Sequence, residues 1–578
     1  MLPLSSTPAT RVRRPYRWAF GVLGVLYVVF CLHLPLSLNM YAVHDDAWFV
    51  FRAGELLSGN WLGAHDQFTL MKGPGFSYFL VFNKFLGTPL HLSLALLYLL
   101  ACAVMVATLR RLLNWQDGLT FAVFAGLLWQ PALMANRVIR DNFYHSLLLL
   151  ILAAALIVAF DHGRRRTAAA VWGGLAFGWF WITREEGLWI VPTMLLIFGV
   201  GLWRQRRLSR RSTKRVPYLV FAVAASLPIV ATSAMNAHEY GVFTVTDFNT
   251  GGFQAALTSL DRIEVTKDLR RVPVPPEALA AAYEVSPNMV RLRPYFDAVG
   301  PSWEKPTCEN YPKLCGYIAG GWFSWVLRDA GASIHVFDTA AESDAFYRQI
   351  SEDINSACDD GRLACHDVFP FVPTLRPRDF QYLTPSMFKG LVKTAYLTSE
   401  APYNYSAGPD DQFADAVLLL RSPFLAPTPD SHVSYSTPWV SFREVLMKVY
   451  QFVTPPLAAA GFIACLWALT RWRQLPSRSR LGFMIAAAFW LTLLARLGVL
   501  AIVDVTAAPG MITQYLEPAF IALYLGATVS LAAAYEVWLD YQEANAGRRR
   551  RTDSGHHNGW SFASLGKMRG VFRWRRQP

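Results

Sequence analysis

The chain has 578 residues, of which 53% are hydrophobic and 16% charged, and a formal net charge of +13. That apolar content excludes an ordinary soluble protein, and the length accommodates a membrane domain plus one further module. The basic residues argue against a nucleic-acid partner, because they cluster at the ends of apolar runs (RVRRPYR at Arg11, RRR at Arg164, RQRRLSRR at Arg204, RRRR at Arg548), as the positive-inside rule distributes them.

In chain order, residues 1–16 read as a basic cytoplasmic segment, and residues 17–38 are long enough to cross a hydrocarbon core of about 30 Å at about 1.5 Å per residue. No small-x-small cleavage site follows, so this run is expected to be an uncleaved signal anchor with the next loop on the periplasmic or exterior side. That loop, residues 41–74, carries Asp45 and Asp46 in HDDAW and a Lys72-Gly73-Pro74 turn. Charge is costly at the membrane boundary, which makes these acids functional candidates, although a solvated loop would also hold acids there. Residues 45–57 read as a short interfacial helix, and residues 76–86 as an apolar piece too brief to span.

Further spans are expected at 89–109, 119–134, 143–160, 168–182, 188–203 and 216–235. Their alternation puts Arg137, Arg140, Asp141, Arg184, Glu185 and Glu186 on the same outer side as Asp45 and Asp46. Residues 236–441 are less apolar and read as an extracytoplasmic domain or large structured loop. Within it, Cys308, Cys315, Cys358 and Cys365 form two C-x6-C pairs; two disulfides of open connectivity are expected, with a zinc site involving His366 as the rival. Three more spans follow within 442–538, the last opening on QYLEP (Gln514 to Pro518), and residues 539–578 form a basic cytoplasmic tail. The fold class is therefore mainly α: a polytopic membrane protein of about ten transmembrane helices with one large extracytoplasmic segment. No P-loop, Rossmann signature or internal repeat is present, which argues against ATP-driven or dinucleotide chemistry.

Acids and guanidinium groups gathered at a lipid boundary suit a substrate with an anionic phosphate and a hydroxyl to be activated. A carboxylate accepts the hydroxyl proton, while Arg or Lys offsets charge on a departing phosphate. The order of motifs resembles the GT-C superfamily of membrane glycosyltransferases, which includes protein O-mannosyltransferases and the aminoarabinose transferase acting on lipid A. HDDAW stands where that superfamily has an acidic motif behind its first transmembrane helix, and Met71-Lys72-Gly73-Pro74 is a degenerate counterpart of its Lys-Pro-Pro-like element. Asp141 in RVIRDNFYHSLLL matches a second acidic position, TREEGLWIVP an Arg-x-Glu-Gly-Leu-type element, and QYLEP a late Arg-Tyr-Leu-x-Pro-like motif with Gln514 in place of Arg.

The resemblance covers residues 17–203 well, the last spans weakly, and residues 236–441 not at all. It implies a polyprenyl-phosphate-linked sugar donor, a glycan, lipid or protein acceptor, and inverting transfer on the outer face of a bacterial inner (plasma) membrane. Asp46 or its neighbour Asp45 would be the base, with Asp46 favoured, and Asp141 would orient the acceptor. Lys72, Arg137, Arg140 and Arg184 would meet the donor phosphate, with Glu185 and Gln514 in the substrate site. Some members use a divalent cation, for which Asp46 and Asp141 are the candidate ligands. Two rival classes are a transporter or flippase of lipid-linked saccharides, which would carry broken helices or polar residues at mid-membrane, and a noncatalytic assembly or receptor protein, for which ten spans are excessive.

Overall fold

A computed structural model describes residues 13–208, 215–248, 250–265, 269–368, 375–398, 406–421 and 437–555. Among them every regular element is helical, and the only strand-like features are isolated bridges, one of which joins Ser37 to Arg137.

The N-terminal part comprises α1 (Arg14–Leu32), α2 (Asp46–Ser58), α3 (Gly75–Leu86), α4 (Leu90–Leu113), α5 (Asp117–Leu128), α6 (Asp141–Phe160), α7 (Arg164–Trp181), α8 (Val191–Leu208) and α9 (Val216–Tyr240). The intervening segment adds α10 (Gly251–Arg262), α11 (Pro276–Val285), α12 (Pro287–Val299), α13 (Glu304–Asn310), α14 (Gly320–Ala332), α15 (Ala340–Asp359), α16 (Phe380–Ala395) and α17 (Asp410–Leu420). The chain then returns through α18 (Pro438–Thr470), α19 (Ser477–Thr506) and α20 (Thr513–Gly555).

Eight helices among the described residues are long and apolar enough to cross a membrane: α1, α4, α6, α9, α18, α19, α20, and α8 taken with the turn before it. The chain is thus a polytopic integral membrane protein of nearly all-helical fold. Two expected spans differ from that set. The one placed at 119–134 is only the 12-residue α5 followed by a short turn at Pro131–Leu133. Pro131 explains the stop, since proline disfavours α conformation in the residue before it, and about 18 Å of helix is short of a hydrocarbon core. The other is α7, which begins on three arginines and lies between α6 and α9; a Cβ on Gly173 would come within 2.1 Å of the Ala154 Cβ, so the small residue permits the contact.

Helix α6 is the centre of the bundle, apolar on every side and buried over nearly its whole length. Its first residue, Asp141, therefore emerges at one end of the core. The basic ends of the helices lie at the opposite end, where Arg111 pairs with Asp161 at 2.9 Å just past the last turn of α6.

The segment between α9 and α18 has its own core, in which Phe253, Leu292, Phe323, Leu327, Tyr347 and Ile350 are buried together. Two ion pairs with fully or almost fully buried arginines stiffen it. Arg328 grips Asp247 with both terminal nitrogens at 2.9 and 2.8 Å, and Arg376 pairs with Asp261. Disulfides join Cys308 to Cys315 and Cys358 to Cys365, so each C-x6-C pair closes on itself and the zinc alternative is set aside. The segment is moored to the membrane helices at Asp504, near the end of α19, which accepts hydrogen bonds from Ser386 (2.8 Å) and Lys389 (3.4 Å) of α16. It also reaches the first outer loop, where Arg328 donates to the Gln67 carbonyl at 2.7 Å.

Candidate functional site

The end of the bundle where α6 begins is built from four loops tied in two pairs through backbone groups. Ser37 donates to the Asn136 carbonyl and Val138 to the Ser37 carbonyl, each at 2.9 Å, which brings the turn before α2 against the turn before α6. The second tie joins the turn after α7 to the Lys72-Gly73-Pro74 turn. Gly75 donates to the Ile182 carbonyl at 3.0 Å, and Gly73 donates to Glu185 at 3.0 Å. A Cβ on Gly73 would stand 2.1 Å from the Ile182 oxygen, so only glycine allows this approach.

These ties enclose a cavity of about 740 Å³. One wall is ionic and includes Asp45, Lys72, Arg140, Asp141, Arg184 and Glu185. The rest of the lining includes apolar and aromatic residues, with Val499, Leu500 and Val503 from α19 and Trp322 and Trp325 from α14. Gln514 lines it as well, whereas Asp46 and Arg137 lie behind the ionic wall. Most of the site residues expected from sequence, separated by up to several hundred positions, thus share one space.

The two adjacent aspartates differ. Asp46, the first residue of α2, is fully buried, accepts a hydrogen bond from the Asn39 backbone at 2.8 Å and meets Arg137 at 2.8 Å. Burial pushes its carboxyl up to about 7 against the opposing charge of Arg137. Asp45 faces the cavity with 39% of its side chain exposed, 2.6 Å from Lys72 and 3.6 Å from Arg137. Burial works to raise its pKa too, but the Lys72 and Arg137 cations outweigh it and hold the carboxyl at about 2. Lys72 also donates to the His44 carbonyl, and burial lowers its pKa although Asp45 opposes the shift. The imidazole of His44 is held down to about 4 by burial and by Lys72, so it is neutral at physiological pH.

The remaining charges pair off. Arg140 donates to Glu185 at 2.7 Å and to the Thr183 carbonyl at 3.0 Å, while Arg184 pairs with Asp141 and, at 2.6 Å, with Glu186. Burial works to raise the pKa of Glu186, but Arg184, Arg496 and Arg140 overcome it and hold the acid well below its ordinary value. Arg496, fully buried inside α19, completes this group: it meets Glu186 at 3.3 Å and donates to the Tyr515 carbonyl at 3.0 Å. Tyr515 in turn lies 4.9 Å below the Arg184 guanidinium. Sequence reading missed Arg496 as a site residue, although an arginine inside the apolar run 481–502 is itself a signal. Glu517 points inward instead, bonded to His145 at 2.7 Å.

A divalent cation does not fit this arrangement. Among the described residues no three His, Cys, Asp or Glu side chains are grouped to hold one. Asp46 and Asp141, the expected ligands, are each already met by a guanidinium group. What the cavity offers instead is an accessible ionised carboxylate, three cations paired with carboxylates, and apolar lining residues.

No protein-family model matches the chain, and no curated protein sequence matches it. Among solved structures the chain is similar to a crystal structure of ArnT from Cupriavidus metallidurans in the apo state, with 15% identity over 90% of this chain and 77% of that one and a TM-score of 0.31. A superposition at that score carries no argument about activity.

Proposed function

We propose that this protein is a GT-C-type membrane glycosyltransferase that moves a sugar from a polyprenyl-phosphate donor to an acceptor hydroxyl with inversion. The observation that carries the reading is the one cavity whose lining combines Asp45, Lys72 and Arg184 with apolar residues of α19. An amphiphile with a phosphate headgroup matches both kinds of lining: its isoprenyl part packs against Val499, Leu500 and Val503, and its phosphate exchanges for a carboxylate on Lys72, Arg140 or Arg184. In the transfer step the acceptor oxygen bonds to the anomeric carbon, the bond from that carbon to the phosphate oxygen breaks, and the acceptor proton passes to a carboxylate. The departing phosphate keeps the electron pair, and the cations stabilise it.

Of the two aspartates, Asp45 is the proposed base, because a base must reach the acceptor and Asp46 is sealed behind Arg137. Phosphate capture by Lys72 offsets the largest of the cationic influences that depress Asp45 and so strengthens it as a proton acceptor at the moment the donor is bound. The cavity is proposed to face the periplasm or exterior, since the arginine-rich helix ends lie at the opposite end of α6.

The test is transfer of labelled sugar from polyprenyl-phosphate donors in membranes containing the full chain. Asp45→Asn is expected to lower transfer by about 10²-fold or more, with wild-type amounts of protein in the membrane. Full activity in that variant removes Asp45 from the mechanism. Movement of the donor between leaflets without any transfer is the outcome expected of a flippase, and it rejects the enzyme reading.

A further inference from the structure

We infer that Trp322 is the platform on which the sugar of the lipid-linked donor packs, an inference that rests on the glycosyltransferase reading. The aromatic residues on the cavity wall are otherwise engaged. Trp325 is sandwiched by His44, stacked at 4.3 Å, and Phe248 at 5.8 Å. Phe323 lies on Phe296 at 6.0 Å, and Tyr515 lies under Arg184 at 4.9 Å. Trp322 is half-buried and lines the same cavity, yet among the described residues it has no ring partner and its indole nitrogen has no hydrogen bond. The indole face and its N–H therefore both stand open to a ligand that enters the cavity.

Position narrows what that ligand is. Trp322 and Trp325 are three residues apart on α14 and share a face. Trp325 stacks on His44, the residue before Asp45, and Trp322 is offset from Trp325 by roughly 5 Å along the axis of α14. That offset is about the width of one sugar ring. The start of α14 is held firmly there, since a Cβ on Gly321 would come within 2.8 Å of the Ala508 Cβ. A pyranose has an apolar C–H face to lay on an indole and edge hydroxyls to accept its N–H. An isoprenyl chain would bury that N–H without a partner, which is costly, and Val499, Leu500 and Val503 already provide a wall suited to the chain.

The experiment compares binding of two probes to the purified full chain: a short polyprenyl phosphate bearing glucose or mannose, and the same lipid phosphate without sugar. Wild type is expected to prefer the glycosylated lipid. Trp322→Ala should weaken that lipid about tenfold and leave the bare lipid phosphate unchanged, which also shows that the variant is folded, and Trp322→Phe should retain part of the preference. Equal weakening of both probes, or no change in either, overturns the role of Trp322 alone. Binding of neither lipid by wild type overturns the glycosyltransferase reading with it.

Discussion

Asp45 and Asp46 are consecutive, yet the start of α2 turns one carboxylate into the cavity and the other into the packed loops behind it. Their acidities diverge accordingly, to about 2 and about 7. The consequence for pH has opposite sign at the two positions. For Asp45 the folded protein favours the ionised form, so its stabilisation is present above the ordinary value of 3.8 and is lost only as pH falls toward 2. For Asp46 the folded protein holds the proton more tightly than the unfolded chain does. Its contribution is complete below 3.8 and is lost as pH rises through about 7. Thermal unfolding of the purified protein should therefore show a decline between pH 4 and 7 that Asp46→Asn flattens; an identical slope in wild type and variant rejects the raised acidity constant. Sequence singled out both acids but offered no firm ground for choosing between them, because the choice depends on Asn39 and Arg137, which only the folded loops bring near.

Among the helices, most were legible from apolar run lengths, and the failures have local causes. Helix α5 stops early at Pro131, and α7 opens on three arginines and carries small residues at its contacts with α6 and α9, which lowers its apolar content. The fold of residues 236–441 was not legible at all, since its core is assembled from short helices whose partners are distant in sequence. Helix α19 shows the reverse case, a single charged residue within an apolar element. Arg496 is fully buried and its partners belong to two other elements, Glu186 and the Tyr515 carbonyl. Without Arg496, Glu186 keeps only its ion pair with Arg184, and the Tyr515 carbonyl loses its donor, at a cost of about 1–3 kcal/mol. Arg496→Leu should therefore lower the accumulation of monodisperse protein, while Arg496→Lys should restore part of it, as read by fluorescence-detected size exclusion. Wild-type yield from the leucine variant would show that Arg496 does not hold α19 to the site.

Over the whole molecule, the cavity is composite: the loops between the N-terminal helices supply its ionic residues, α19 supplies apolar ones, and α14 of the intervening segment supplies two tryptophans. This arrangement requires the loops before α2, before α6 and after α7, together with the segment itself, to occupy one side of the bilayer. Reporter fusions at the His44 loop, the Arg184 loop and Ser333 should all report the same compartment; a split among them would dissolve the proposed site. What the sequence could not reveal was that part of the lining comes from the segment the family resemblance leaves uncovered, because nothing in the local pattern around Trp322 and Trp325 marks them as neighbours of His44.

The turn after Lys72 couples two loops. Gly73 offers Glu185 a backbone hydrogen that a proline would lack, and no side chain fits beneath the Ile182 oxygen. The glycine and the acid therefore depend on each other, and a ring introduced at position 73 would have to be matched by a reshaped loop around position 185.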